Sequence, residues 1–136
     1  MIRKMILFAP AMIMMALVYR ASLIDKVIME RGKKIYTTYC MSCHQADGGG
    51  VPGLNPPLGK TSWVLGSKTK LITVVLKGMN THEEIDGEEY TNTMAPFNFL
   101  KDQEISDLLT FIRNSFGNKA TAVTVGDVKY VRSKVK

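Results

Sequence analysis

Three stretches of this chain repeat their apolar positions with a period close to 3.6, and three helices are the first expectation. From Asp25 to Tyr39, residues Ile28, Gly32, Ile35, Tyr36 and Tyr39 share one side, while Glu30, Lys33 and Lys34 lie elsewhere. Gly32 inside such a helix costs about 1 kcal/mol against alanine, so its presence predicts a second helix crossing close to the backbone. From Ser67 to Lys77, Leu71, Ile72, Val75 and Leu76 form an apolar side, Ser67 or Thr69 supplies a cap, and Gly78 is a stop. The β-branched content of that segment leaves a strand as its alternative. From Asp102 to Phe116 the period returns through Ile105, Leu108, Leu109, Ile112 and Phe116, with Gly117 where a left-handed residue is wanted.

The intervening stretches predict loops. Residues 46–60 hold five glycines and three prolines, which excludes a regular element. Met79 to Pro96 is polar, gathers Glu83, Glu84, Asp86, Glu88 and Glu89, and lacks strong periodicity, so a second functional loop is expected. Val123 to Val135 alternates weakly; a lone strand would have no partner in a helical domain, and an extended tail is expected.

Length and charge narrow this picture. A chain of 136 residues, 46% hydrophobic and 22% charged, fits one globular domain and excludes both a disordered chain and a polytopic membrane protein. The net charge of +6 is confined to the ends. Arg3, Lys4 and Arg20 flank the start, Lys129, Arg132, Lys134 and Lys136 crowd the finish, and residues 22–126 balance. A nucleic-acid footprint would need a basic face on the domain itself, and none is evident.

Met5 to Tyr19 carries no charge and reads as an export segment. Its length suits a cleaved signal better than a span, which takes about 20 apolar residues. Tyr19-Arg20-Ala21 is nevertheless a poor cleavage site, so an uncleaved membrane anchor stands beside the signal peptide, with a buried core helix as the bland alternative. The expected organisation is a signal peptide or anchor over 1–21, a domain over 22–117 and a basic tail over 118–136. Either export reading places the domain outside the cytoplasm, in the periplasm.

Candidate chemistry is concentrated in one place. Cys40 and Cys43 are the only cysteines, and His44 follows directly, giving Cys-Met-Ser-Cys-His. This is the c-type haem attachment signature. Two thiols can add to the two vinyl groups of one haem, and the adjacent imidazole is then held to ligate iron. A structural disulfide would close too short a loop to add much stability, and it leaves His44 unexplained. A thioredoxin-like pair wants a strand before the motif, whereas a helix precedes it here. Zinc would need Cys40, Cys43, His44 and His82 together, a poor match to the usual ligand pairings.

With these residues in place the sequence resembles the class I, mitochondrial-like cytochrome c family over about residues 25–117. Residues 32–44, Gly-Lys-Lys-Ile-Tyr-Thr-Thr-Tyr-Cys-Met-Ser-Cys-His, look like the family's first helix running into its haem motif. Leu108 and Phe111 match the positions where the last helix crosses Gly32 and Tyr36. The resemblance implies an all-α cytochrome c fold wrapped on one covalent haem c and its iron. It implies that Pro56, or Pro57 one register on, offers a carbonyl to the second ring nitrogen of His44. It makes Met94, in Met-Ala-Pro-Phe, the sixth iron ligand, with Met79 and His82 as alternatives. His/Met ligation is the electron-transfer pattern. The expected function is a one-electron carrier between larger redox proteins and not an enzyme. Its rivals are a five-coordinate haem enzyme or gas sensor, whose four-helix relatives carry the motif near the C-terminus, and a haem-less zinc or dithiol module.

Trp63, Tyr36, Tyr90, Phe97 and Phe99 are expected in the core, and the acidic cluster at 83–89 is expected to be a solvated loop. One departure from the family pattern is that Lys101, not a serine or aspartate, precedes Asp102-Gln103-Glu104, so half of a capping box is missing.

Overall fold

The structure, a computed structural model, describes residues 8–80 and 82–135. Arg3 and Lys4 of the export segment lie outside that range.

Helix α1 (Phe8–Tyr39) runs 32 residues without interruption, so the expected boundary at residue 21 falls inside a helix. Among the described residues no helix is long and apolar enough to cross a membrane. A single turn, α2 (Met41–His44), follows at once. After the glycine-rich loop come α3 (Ser62–Leu65), capped by Thr61, and α4 (Lys68–Lys77), where the Ser67 hydroxyl accepts from the Lys70 N–H and Gly78 ends the helix. Helix α5 (Asp102–Arg113) stops three residues short of the expected end, and Phe116 and Gly117 both take left-handed φ in the turn beyond.

Helices α1 and α5 form the main crossing. A Cβ on Gly32 would lie 2.2 Å from the Asp107 carbonyl oxygen and 2.5 Å from the Phe111 Cβ, which is why no side chain is tolerated there. Tyr36 packs on Phe111 with ring centroids 5.6 Å apart. Arg31 donates to the buried Asp107 carboxylate at 2.6 and 3.1 Å, and Gln103 donates to it at 2.8 Å. Leu108, beside Asp107 on the same helix, is 1% exposed.

Two expectations are corrected. Residues 79–96 are not loop throughout: β1 (Glu83–Ile85) and β2 (Glu88–Tyr90) pair antiparallel around Asp86-Gly87, both with positive φ. Asp-Gly between short strands is a hairpin turn signal. Ile85 and Tyr90 are the buried residues of this hairpin, and the glutamates lie largely outside. Residues 123–135 are not an extended tail but carry helix α6 (Val125–Lys134), whose Val128 and Val131 are buried against the core. Thr124 caps it with a reciprocal bond to Asp127, a box the sequence displays. Val123 docks it, its carbonyl accepting from Ser106 and Thr110 on α5.

At the start of α5 the missing half of the capping box is indeed missing. The Glu104 carboxylate still accepts from the Lys101 N–H at 2.7 Å, so the carboxylate half is kept.

Candidate functional site

The end of α1 and the turn of α2 place the motif at the mouth of the interior. Cys40 is buried, Cys43 is exposed, and both are free thiols. The Cys40 carbonyl accepts from the N–H of Cys43 and of His44, which folds all three residues into one turn. Tyr36, a turn earlier, donates its hydroxyl to the Gln45 carbonyl at 2.5 Å and closes the motif from below.

His44 is almost fully buried, and its Nδ1 lies 2.9 Å from the Pro56 carbonyl oxygen. Of the two registers, this structure puts Pro56 and not Pro57 on the ring. The loop reaches that position because the Gly50 N–H donates back to the His44 carbonyl and Val51 pairs with Asn55. Gly50 has φ +66°, and a Cβ there would lie 2.3 Å from the Asn55 carbonyl. Asn118 holds the far end of the loop, donating to the Leu58 and Ile112 carbonyls and accepting from the Lys60 N–H.

Beside His44 lies a cavity of about 60 Å³, lined by Cys40, His44, Pro56 and Met94 and closed by apolar groups such as Leu71, Val75 and Leu108. A second space of about 180 Å³ adjoins it and shares Cys40, His44, Pro56, Met79, Met94 and Phe97. Trp63 and Ile85 line the first, Tyr90 the second.

Met94 is half-buried in the lining of both spaces, and so is Met79. The two exchange backbone hydrogen bonds of 3.0 Å, which sets them directly opposite each other. Gly78, with φ +76°, permits this: a Cβ there would stand 2.2 Å from the Met94 carbonyl oxygen. The Phe97 N–H donates to the Val75 carbonyl at 2.8 Å, fastening the same loop to α4. His82, the other alternative ligand, is exposed on the hairpin, pairs with Glu89 and lines neither space. Among the described residues no group of three or more His, Cys, Asp or Glu side chains gathers as a metal cage.

The electrostatics suit a neutral interior. Burial, then Cys43 beside it, pushes the Cys40 thiol up to about 12, so a charged sulfur is disfavoured there while an uncharged thioether is not. Burial lowers the His44 pKa against the opposing pull of the Pro56 carbonyl, which favours the neutral imidazole that metal ligation requires.

Of the expected core aromatics, Tyr36 and Tyr90 are buried, whereas Phe99 is 63% exposed and belongs to a surface cluster with Tyr39 and Phe97. Two residues that fasten segments lining the site carry no local pattern in the sequence: Arg113, which donates to the Val64, Gly66 and Thr121 carbonyls, and Asn118. Their signal is long-range.

An apolar cavity with two free thiols at its edge, a neutral imidazole held through its second nitrogen and thioethers facing in from another loop fits haem c on every donor. Comparison with known proteins agrees. The family model described as Cytochrome c matches residues 29–116. A cytochrome c-552 from Thermus thermophilus is 37% identical over 112 residues, which cover 76% of this chain and 85% of the relative. The gluconate 2-dehydrogenase cytochrome c subunit of Pantoea cypripedii is 36% identical over 110 residues, 76% of this chain but 24% of that longer subunit. The quinone alcohol dehydrogenase cytochrome c subunit of Gluconacetobacter polyoxogenes is 35% identical over 103 residues, 74% of this chain and 22% of the relative. The chain therefore belongs to the cytochrome c family as a class I, single-haem member, an electron-transfer protein that binds haem c covalently.

Proposed function

We propose that Cys40 and Cys43 form the two thioether bonds, that His44 and Met94 are the axial ligands of the iron, and that Pro56 orients His44. Each thiol would add across one vinyl group, sulfur to one carbon and hydrogen to the other, with nothing lost. The bound haem supplies a centre that gains and releases one electron. The chain's own work is then to hold both axial positions and to keep water out with an apolar lining. The observation that carries this reading is the 2.9 Å contact of His44 Nδ1 with Pro56, because it leaves only the other ring nitrogen available for a metal in a cavity that Met94 also lines.

The partners are larger redox proteins that give and take single electrons; the dehydrogenase subunits among the relatives make a dehydrogenase one class of donor. Export across the membrane is supported by the uncharged stretch from Met5 to Tyr19 between Arg3, Lys4 and Arg20, which serves as signal peptide or anchor. N-terminal sequencing of the mature protein separates the two.

A carrier with both axial sites filled binds external ligands poorly. The reduced holoprotein is expected to show no rapid, tight carbon monoxide binding at neutral pH, and Met94→Ala is expected to acquire it. Tight binding by the unmodified protein would favour a five-coordinate sensor or enzyme instead.

A further inference from the structure

Arg132 sits on α6, beyond residues 29–116 matched by the family model. Its guanidinium is committed on three sides. Nε donates to Asp102 Oδ1 at 2.7 Å, Nη1 to the Asn98 carbonyl at 2.8 Å and Nη2 to the Leu100 carbonyl at 2.6 Å. Asn98 and Leu100 belong to the short segment that joins Met94 to α5, and Asp102 is the first residue of α5. One side chain thus bonds two loop carbonyls and the helix that anchors them.

The other end of this loop is held by Met79 and Val75 through backbone bonds to Met94 and Phe97. Release of Arg132 would leave the α5 end of the loop held by the buried Leu100 and by the Glu104 bond to the Lys101 N–H, with the Asn98 and Leu100 carbonyls no longer bonded to α6. The arginine is itself fixed because α6 is fixed: Val128 and Val131 are buried, Thr124 and Asp127 cap its start, and Lys68 of α4 meets Asp127 at 3.5 Å. With Arg132 about a third exposed and Asp102 a quarter, the bonds to Asp102 and to the Leu100 carbonyl are partly sheltered from water, while the bond to the Asn98 carbonyl is exposed. A planar, permanently charged fork is the group suited to three acceptors at once, and a lysine cannot replace it.

We infer that Arg132 is a positioning residue for the axial methionine: it clamps the 95–101 segment so that Met94 stays on the iron and external ligands are kept off. This rests on the proposed Met94 ligation. The clamp acts on how often the thioether leaves, not on the chemistry of the haem.

The test uses the ferric holoprotein and imidazole, which occupies the sixth position only when methionine has left. Arg132→Gln is expected to keep the thioether-to-iron absorption band without imidazole but to bind imidazole roughly tenfold more tightly, the effect of losing about one charge-assisted bond. Arg132→Lys should fall close to Arg132→Gln. Arg31→Gln, which breaks the Arg31–Asp107 pair at the α1–α5 crossing and touches neither α6 nor the 95–101 segment, serves as the comparison for a general loss of stability. If Arg132→Gln binds imidazole as the unmodified protein does, or no better than Arg31→Gln at matched thermal stability, the clamp is overturned. The underlying ligation is read separately: an unmodified protein without the thioether band, or a Met94→Ala variant that retains it, would refute Met94 and the clamp with it, whereas failure of the Arg132→Gln comparison alone refutes only the clamp. Amide exchange at Phe97 gives a second readout, expected to quicken in Arg132→Gln and unchanged if the arginine is only a surface contact.

Discussion

The two faces of the haem cavity are built in different ways. On the His44 side the motif, the loop and the Pro56 carbonyl come from one short stretch of chain, with a sequence separation of 12 between ring and carbonyl, and only the loop's far end is pinned from a distance, by Asn118. On the Met94 side the loop is held by residues scattered through the fold, with Arg132 bonding 30 to 34 positions away. The rims are stitched together where Thr91 and Asn92 donate to the Gly53 and Leu54 carbonyls. A local wall forms with little loop-closure entropy, while a wall assembled from distant elements lasts only as long as they stay docked. The expectation that follows from the proposed ligation is that the methionine side opens more readily than the histidine side.

The largest effect should come from the crossing that stands behind both walls. Gly32→Leu drives a side chain into the Asp107 carbonyl and Phe111, a backbone collision at the upper end of overpacking costs, about 3 kcal/mol. Thermal unfolding should show a lowered midpoint with both walls lost together; a variant that melts with the unmodified protein would contradict the crossing.

A smaller and more discriminating effect is expected from the two glycines that face axial segments. Gly78→Ala and Gly50→Ala each force a side chain onto positive φ and against a carbonyl, at about 1–3 kcal/mol. Gly78→Ala presses on Met94 and should weaken the thioether band and admit imidazole. Gly50→Ala presses on Asn55 and Pro56 and should leave that band in place while lowering stability. Equal loss of the band in both would erase the distinction between the walls.

The same division explains what the sequence could disclose. Cys40, Cys43 and His44 are contiguous, so their chemistry is legible without a fold, and Gly32 announced a crossing because an unpunished glycine in a helix needs a reason. Met94 was legible only through the position the family gives it. Arg132 was not legible at all: its charge resembles that of Lys129 and Lys134, and only the docking of α6 separates a clamp from a solvated tail. That helix was missed because its buried face is narrow, essentially Val128 and Val131, and because valine is as much at home in strands. The hairpin is hidden for a different reason: its Asp86-Gly87 turn lies among glutamates that have the composition of a solvated loop.

The ligation of iron by Met94 is the claim on which the carrier reading turns, and proton NMR of the reduced holoprotein addresses it most directly. A methionine methyl group bound to diamagnetic haem iron sits in the ring current and is shifted far upfield. The account predicts one such signal, abolished in Met94→Ala and retained in Met79→Ala. A signal that survives Met94→Ala and disappears in Met79→Ala, or no such signal in the unmodified protein, would contradict it.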